Sequence, residues 1–174
     1  MMYRLPSPAG EWIDRTQRVE FTFEGEPRSG VAGDCVTSAL AACGEMVLGR
    51  SFKYHRPRGI LTFANHDANT LFEIDGVPNV RGDVTPLRPG QRVRAVNTFG
   101  SLRRDRAGIL DRLAPFLPVG FYYKAFHSKR HFHRWERLIR RLSGLGSISP
   151  DAPRQFTPKR YAICDVLVAG GGPS

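Results

Sequence analysis

The sequence lacks the features that mark membrane, secreted and disulfide-rich proteins. No uncharged apolar run approaches the roughly 20 residues that a membrane-spanning helix needs. The opening residues, MMYRLPSPAGEWIDR, contain neither the apolar central run nor the small-residue cleavage site of a secretory signal. Three cysteines cannot form a disulfide framework, and their spacings match no zinc-binding pattern. These absences predict a cytoplasmic protein with no membrane association.

Acidic residues are scarce in one part of the chain. The formal net charge of the 174 residues is +10. Residues 1–100 hold 12 basic and 11 acidic side chains, whereas residues 101–160 hold 14 basic and four acidic ones. With 41% hydrophobic residues the chain has enough apolar surface for a core. We therefore predict one folded domain up to about residue 100, followed by a basic extension.

The first hundred residues alternate between strand and helix patterns. Polar and apolar residues alternate at 18–23, which predicts a half-buried strand, and residues 28–32 can return beside it. Asp34 stands where it would cap a helix. The apolar face of that helix would comprise Val36, Ala39, Leu40, Cys43, Met46 and Val47. After a loop rich in Gly, Pro and Arg, short strands are predicted at 71–74, 77–81 and 91–97. This order predicts an α+β fold of the β-grasp type, a mixed sheet packed against one helix.

The basic segment has helical patterns of its own. Residues 103–113 could form a helix that Pro115 ends. A second helix is predicted from the helical spacing of Phe132, Trp135, Leu138, Ile139 and Leu142. Residues 101–160 are therefore predicted to be a basic helical extension with a linker.

The last residues resemble the opening of a dinucleotide-binding Rossmann unit. A predicted buried strand at 165–168 leads directly into a glycine cluster. In such a unit Gly170 would permit the tight turn, and Gly172 would let backbone amides approach a pyrophosphate. The third glycine of the motif would be residue 175, and the acidic ribose ligand would lie further on. The motif is thus incomplete, and residues 161–174 are predicted to be a truncated first strand of a Rossmann domain that binds FAD or NAD.

Residues 18–97 also resemble the plant-type [2Fe–2S] ferredoxin-like domains of bacterial oxidoreductases. Those domains carry C-x₄-C-x₂-C in the long loop and a fourth cysteine after the next hairpin. With RGIL at 58–61 and DGVPNVR at 75–81 as the frame, the ligand positions fall on Thr62, Asp67, Thr70 and Asp83. Iron in such a cluster needs thiolates, or histidines in the Rieske type. The sequence therefore predicts a ferredoxin-like domain over 18–100, after an irregular segment 1–17, that binds no cluster or other metal.

Longer strings narrow the resemblance to one family. GRSFKYHRPRGIL at 49–61 and FLPVGFYYKAF at 116–126 are similar to the N-terminal part of the α subunit of heterotetrameric sarcosine oxidase. The resemblance implies the non-catalytic front of an oxidoreductase subunit, from a truncated or split gene or a fragment, that is inactive alone. It implies a complex that oxidises secondary amines such as N-methyl amino acids with NAD, FAD and FMN, none bound by this chain alone. The implied partners are the other subunits, the β subunit above all.

Two functions of other classes remain open. One is a stand-alone, cluster-free ferredoxin-like scaffold whose basic extension binds an acidic partner. The other is nucleic-acid binding, which clustered arginines favour. Phe132 and Trp135 argue against it, because they lie on the apolar stripe of a helix and are interpreted as core residues. We rank nucleic-acid binding third.

Three polar groups have a structural interpretation beside a functional one. His127, His131 and His133 are interpreted as a basic helix face rather than a metal site. Asp67 and Asp83 are interpreted as acceptors for loop amides rather than ligands of a hard cation. For the loop of residues 50–58 two interpretations stay open. Either it contacts a flavin phosphate or a partner subunit, or its arginines pack it onto the Rossmann domain.

Overall fold

The computed structural model describes residues 4–7, 12–116, 120, 130–142, 149–152 and 158–168. Its strands are β1 (Asp14–Phe23), β2 (Glu26–Ala32), β3 (Gly49–Arg50), β4 (Pro57–Arg58), β5 (Leu71–Ile74), β6 (Val77–Arg81) and β7 (Arg92–Ala95). Its α-helices are α1 (Val36–Ala42), α2 (Ile109–Arg112) and α3 (Phe132–Leu142). Within these ranges no helix is long and apolar enough to cross a membrane.

The main sheet has five strands in the order β2-β1-β7-β5-β6. Strand β1 pairs antiparallel with β2 and parallel with β7. Strand β5 pairs antiparallel with both β7 and β6, and β3 and β4 form a separate two-stranded sheet. A mixed sheet with few helices is the α+β, ferredoxin-like arrangement that the sequence predicts.

Two tight hairpins and one buried helix explain the sheet. The turn residues Glu24 and Gly25 both have positive φ, and so do Asp75 and Gly76. That backbone geometry joins antiparallel strands without splaying them. The core comprises buried apolar residues of β1, α1, β5 and β7, among them Val19, Phe21, Phe23, Val36, Ala39, Leu40, Phe72 and Val93. The alternation in β1 thus sends every second side chain towards α1.

Helix α1 begins and ends differently from the prediction. Its N-cap is Cys35, whose Sγ accepts from the Ser38 amide, because the predicted cap, Asp34, is held by Arg4 and by the Val31 amide. Gly44, with φ of 82°, ends the helix at Ala42. The amides of residues 44 and 45 return to the carbonyls of residues 41 and 40, which is a Schellman motif. Met46 is therefore 74% exposed and lies outside the helix, contrary to the prediction.

Core packing continues past the predicted boundary at residue 100. Leu102 is buried within the main apolar cluster. The continuous helix predicted over 103–113 is wrong, because a 3₁₀ turn at Arg106–Gly108 precedes the single-turn α2 and another, Ala114–Phe116, follows it. Gly108 and Pro115 both oppose a longer helix.

The predicted buried strand at 165–168 is not formed. In the described range 158–168 no residue belongs to a strand, and Val166, Leu167 and Val168 are about four-fifths exposed. A strand is held by hydrogen bonds to neighbouring strands, and the described residues provide none for this segment. Gly170 and Gly172 lie outside the described residues.

Replacement of a core residue should test this packing. Leu40 on α1 is fully buried, so Leu40→Ala should lower the free energy of unfolding by about 2–5 kcal/mol through lost burial and a cavity. The control, Leu61→Ala, removes a side chain that is 74% exposed and should change it by less than about 0.5 kcal/mol. Urea unfolding followed by circular dichroism measures both; equal effects would contradict this assignment of the core.

Candidate functional site

The four predicted cluster-ligand positions lie around one loop. Residues 59–70, here called the ligand loop, connect β4 to β5 and carry three of them. The fourth, Asp83, follows β6 and is separated from it by Gly82. A Cβ atom at Gly82 would lie 2.5 Å from the Phe72 ring and 2.6 Å from Thr37 Oγ1. Glycine at this position lets the chain pass close to the core and brings Asp83 beside the ligand loop.

Asp67 closes the ligand loop on itself. Its carboxylate is buried and accepts hydrogen bonds from the amides of Leu61 at 2.8 Å, Thr62 at 3.3 Å and Asn69 at 2.8 Å. A buried carboxylate is stable only where donors replace its lost hydration. The side chain therefore organises the backbone on both sides of itself.

Asp83 joins the ligand loop to β6. Its Oδ2 accepts from the Asp67 amide at 2.7 Å and from the Arg81 guanidinium at 2.6 Å, and its Oδ1 accepts from Arg81 Nε at 3.1 Å. Arg81 also donates to the Asn65 carbonyl at 2.6 Å. Together Asp67, Asp83 and Arg81 form a continuous hydrogen-bonded group, here called the loop network.

The electrostatics of the loop network favour a charged carboxylate. Burial acts to raise the pKa of Asp83, but the hydrogen bonds from Arg81 and the Asp67 amide, with the Arg81 charge, lower that pKa below its usual value of 3.8. The hydrogen bond to Asp83 in turn raises the pKa of Arg81. Both groups are therefore ionised at neutral pH.

The two threonine positions supply no iron ligand either. Thr62 is half-buried, and its hydroxyl accepts from the Ala64 amide at 3.1 Å. Thr70 is buried and packs against Gly49. Two hydroxyls and two engaged carboxylates do not fit an iron–sulfur cluster, which needs thiolates or imidazoles.

The cysteines lie elsewhere in the fold. Cys35 and Cys43 cap the two ends of α1, and Cys164 lies in the exposed range 158–168. Over the described parts of the chain, no three His, Cys, Asp or Glu side chains come together as a metal site could require. His133 Nδ1 lies 3.7 Å from Glu136, while His127 is outside the described residues.

A buried histidine–aspartate pair holds the neighbouring loop of residues 50–58. His55 Nδ1 lies 2.6 Å from Asp105 Oδ2, and the two side chains are 0% and 1% exposed. The other oxygen of Asp105 accepts from the amides of Phe99 and Ala107 at 3.0 and 3.1 Å. The His55 ring also packs edge-on against Phe99, with 5.4 Å between ring centroids.

Arg50 strengthens the same junction. Its guanidinium donates to the carbonyls of Leu102 at 3.0 Å and His55 at 3.3 Å, and its own carbonyl accepts from Asn97. Arg56 pairs with Asp111 at 2.7 Å on the surface. The loop of residues 50–58 is thus packed onto residues 97–111 of its own chain, an arrangement that neither interpretation from the sequence anticipated.

This junction could not be predicted from the sequence because its partners are far apart along the chain. His55 and Asp105 are separated by 50 residues, and although His55 stands in the string at 49–61 that resembles the family, nothing in that string points to Asp105. A histidine in a sequence does not reveal its role, since a buried structural histidine and a catalytic one have the same sequence pattern.

Comparisons with known proteins agree on the ancestry of the chain. Residues 16–98 match the family model of the 2Fe-2S iron-sulfur cluster binding domain. The chain is 42% identical over 180 residues to the sarcosine oxidase subunit alpha of Rhizobium meliloti (strain 1021), covering 99% of this chain and 18% of that protein. It is 26% identical over 166 residues to that of Corynebacterium sp. (strain U-96), covering 95% of this chain and 13% of the relative.

Among solved structures, L-proline dehydrogenase from P. horikoshii matches with a TM-score of 0.40 and 23% identity, over 47% of this chain and 16% of that one. The chain spans less than a fifth of the curated relatives that it matches over nearly its whole length. The 2Fe-2S-type domain and a match over nearly the whole chain together identify its family. It belongs to the family of sarcosine oxidase α subunits and corresponds to an N-terminal segment of that subunit.

Proposed function

We propose that this chain is the non-catalytic, N-terminal portion of a sarcosine oxidase-like α subunit, within an oxidoreductase that acts on secondary amines such as N-methyl amino acids. The observation that carries this proposal is the 42% identity over 99% of the chain. NAD and the flavins FAD and FMN would bind elsewhere in the complex. The other subunits, the β subunit in particular, would be its partners.

The role proposed for the ferredoxin-like domain is structural. In a cluster-binding relative the metal would cross-link the ligand loop to the chain after β6. Here the loop network makes that cross-link, because the Asp67 amide and Arg81 both bind Asp83. The domain would therefore keep its shape without supplying an electron-transfer centre.

The exposed apolar residues of the range 158–168 are consistent with a segment that packs against a further domain. Tyr161, Ile163, Val166, Leu167 and Val168 are between 79% and 104% exposed. Apolar residues exposed in such numbers require a cover. We propose that this segment, which forms no strand in the structure described above, would become the first strand of a dinucleotide-binding domain once neighbouring strands pair with it.

Assembly tests the proposed partnership. The full chain, tagged and co-expressed with the β subunit of a sarcosine oxidase-like enzyme, should co-elute with it in size-exclusion chromatography as a yellow, flavin-containing complex. Elution of the chain without the β subunit would contradict the proposal and favour a stand-alone scaffold. A nucleic-acid binder would instead retain DNA with a steep dependence on salt.

The predicted ligand positions offer oxygen atoms in place of thiolates, so we expect the purified chain to contain no iron–sulfur cluster. Chain purified anaerobically, and chain incubated with ferrous iron and sulfide, should both lack visible absorbance after desalting. Iron and acid-labile sulfide should be below about a tenth of a mole per mole of chain, because no thiolate lies at the ligand positions. Stoichiometric iron with matching sulfide would sink the assignment of the ligand positions.

The loop network predicts a stability effect that depends on pH. At pH 7, Asp83→Asn should lower the free energy of unfolding by about 1–3 kcal/mol, because a buried charged acceptor of Arg81 is lost. The folded-state pKa of Asp83 is lowered, so its contribution is present above pH 3.8 and is lost as pH falls through the folded-state pKa. The difference between the variant and the original chain should therefore shrink below pH 3.8.

Asp111→Asn is the matched control for this measurement. Asp111 also pairs with an arginine, Arg56, but both side chains of this pair are about half exposed. Its replacement should therefore change the free energy of unfolding by less than about 1 kcal/mol. Urea unfolding of the three proteins between pH 3 and 7 makes the comparison. A similar loss for both variants, or one that does not vary with pH, would argue against a structural role for Asp83.

A further inference from the structure

Strand β2, at one edge of the main sheet, borders a basic pocket. The pocket has a volume of about 570 Å³ and is lined by four arginines, Arg4, Arg15, Arg18 and Arg28. Three of its other lining residues are Ser29, Cys43 and Glu45. The pocket is remote from the loop network. Strands β2 and β6 are opposite edges of the sheet, and the loop network lies beside β6.

The pocket holds more hydrogen-bond donors than acceptors. Glu45 neutralises Arg28, with Nε to Oε1 at 2.9 Å, and Asp34 neutralises Arg4. Among the described residues, the buried Nε of Arg4 nevertheless has no acceptor. Arg18 is exposed and, within the described ranges, its side chain forms no ion pair or hydrogen bond. Its positive charge is therefore available to a ligand.

The edge of β2 adds a backbone donor at the same place. The Glu20 carbonyl accepts from Gly90, on the side of β1 that faces β7, and Glu20 lies opposite Ser29 on β2. In an antiparallel pair of this kind both residues direct their backbone groups away from each other. Ser29 therefore directs its amide to the open edge, where its carbonyl already accepts from Cys43 Sγ at 3.2 Å.

The same edge is closed to the addition of another strand. The Pro27 carbonyl accepts from Arg28, the Ser29 carbonyl from Cys43, and the Val31 amide donates to Asp34. Proline also lacks the amide that a pairing strand would use. A peptide that extends the sheet is therefore excluded, and a compact ligand fits better.

We propose that this pocket binds a small anion through a phosphoryl group, with Arg18 as its principal contact. A phosphoryl group carries about −1.5 to −2 charges at neutral pH and three strong acceptor oxygens. Several guanidiniums around one concavity match that multiplicity, whereas a carboxylate has one charge and two oxygens. The pocket volume is within the range of about 300–1,000 Å³ of small-molecule sites. This site does not depend on the subunit assignment proposed above.

Isothermal titration calorimetry of the full chain at low ionic strength tests the proposal. The probes are inorganic phosphate, pyrophosphate and ADP, with acetate as the carboxylate comparison. Saturable binding is expected for phosphoryl-containing probes and none for acetate. Tighter binding of ADP than of pyrophosphate would identify a nucleotide as the ligand, and equal binding of phosphate and pyrophosphate a free phosphate.

Arg18→Gln should weaken that binding at least about tenfold, because a charged hydrogen-bonding contact is lost. The matched control is Arg94→Gln, since Arg94 on β7 is likewise an exposed strand arginine whose side chain forms no ion pair or hydrogen bond in the described part of the chain. It should bind as the original chain does. Because neither side chain has a partner to lose among the described residues, both variants should keep the original urea midpoint.

Three results would overturn the proposal. They are the absence of saturable binding to any phosphoryl probe, acetate binding as tight as that of phosphate, and equal weakening by the two variants. The last result would mean that the net charge of the chain, rather than this pocket, attracts the anion.

Discussion

The burial of aspartate carboxylates determines how the loops of this protein are built. Asp34, Asp67, Asp83 and Asp105 all have buried carboxylates, and each accepts hydrogen bonds from backbone amides. A buried carboxylate without donors would cost several kcal/mol. Each loop can therefore adopt only a conformation that delivers its amides to the carboxylate, and this requirement orders segments that have little secondary structure.

The ligand loop illustrates what that constraint achieves. In a metal-binding relative four thiolates around iron would define its course. Here Asp67 gathers three amides of the loop, and Asp83 links the loop to β6 with the help of Arg81. Hydrogen bonds to a charged group can replace a metal cross-link in holding a shape, but they cannot carry an electron. That difference is the basis of the structural role proposed above for the domain.

Much of the fold could be predicted because it depends on local patterns. Alternation identified β1, and helical spacing identified the apolar face of α1. The end of α1 could not be predicted from apolar spacing alone, because Met46 fits the stripe and the Schellman motif at Gly44 ends the helix before it. The N-cap was mispredicted for a similar reason, since the ion pair between Asp34 and Arg4, 30 residues away, is a tertiary contact.

Residue types and their spacing were enough to predict the class of the domain, the four positions equivalent to cluster ligands and the lack of cysteine at those positions. The tertiary structure alone decided how the buried carboxylates are satisfied, that His55 meets Asp105 across 50 residues, and that arginines from the N-terminal segment, β1 and β2 line one pocket. The physical reason is that desolvation and hydrogen bonding depend on neighbours in space. A single sequence records residue order and gives no sign of which distant donor will meet which acceptor.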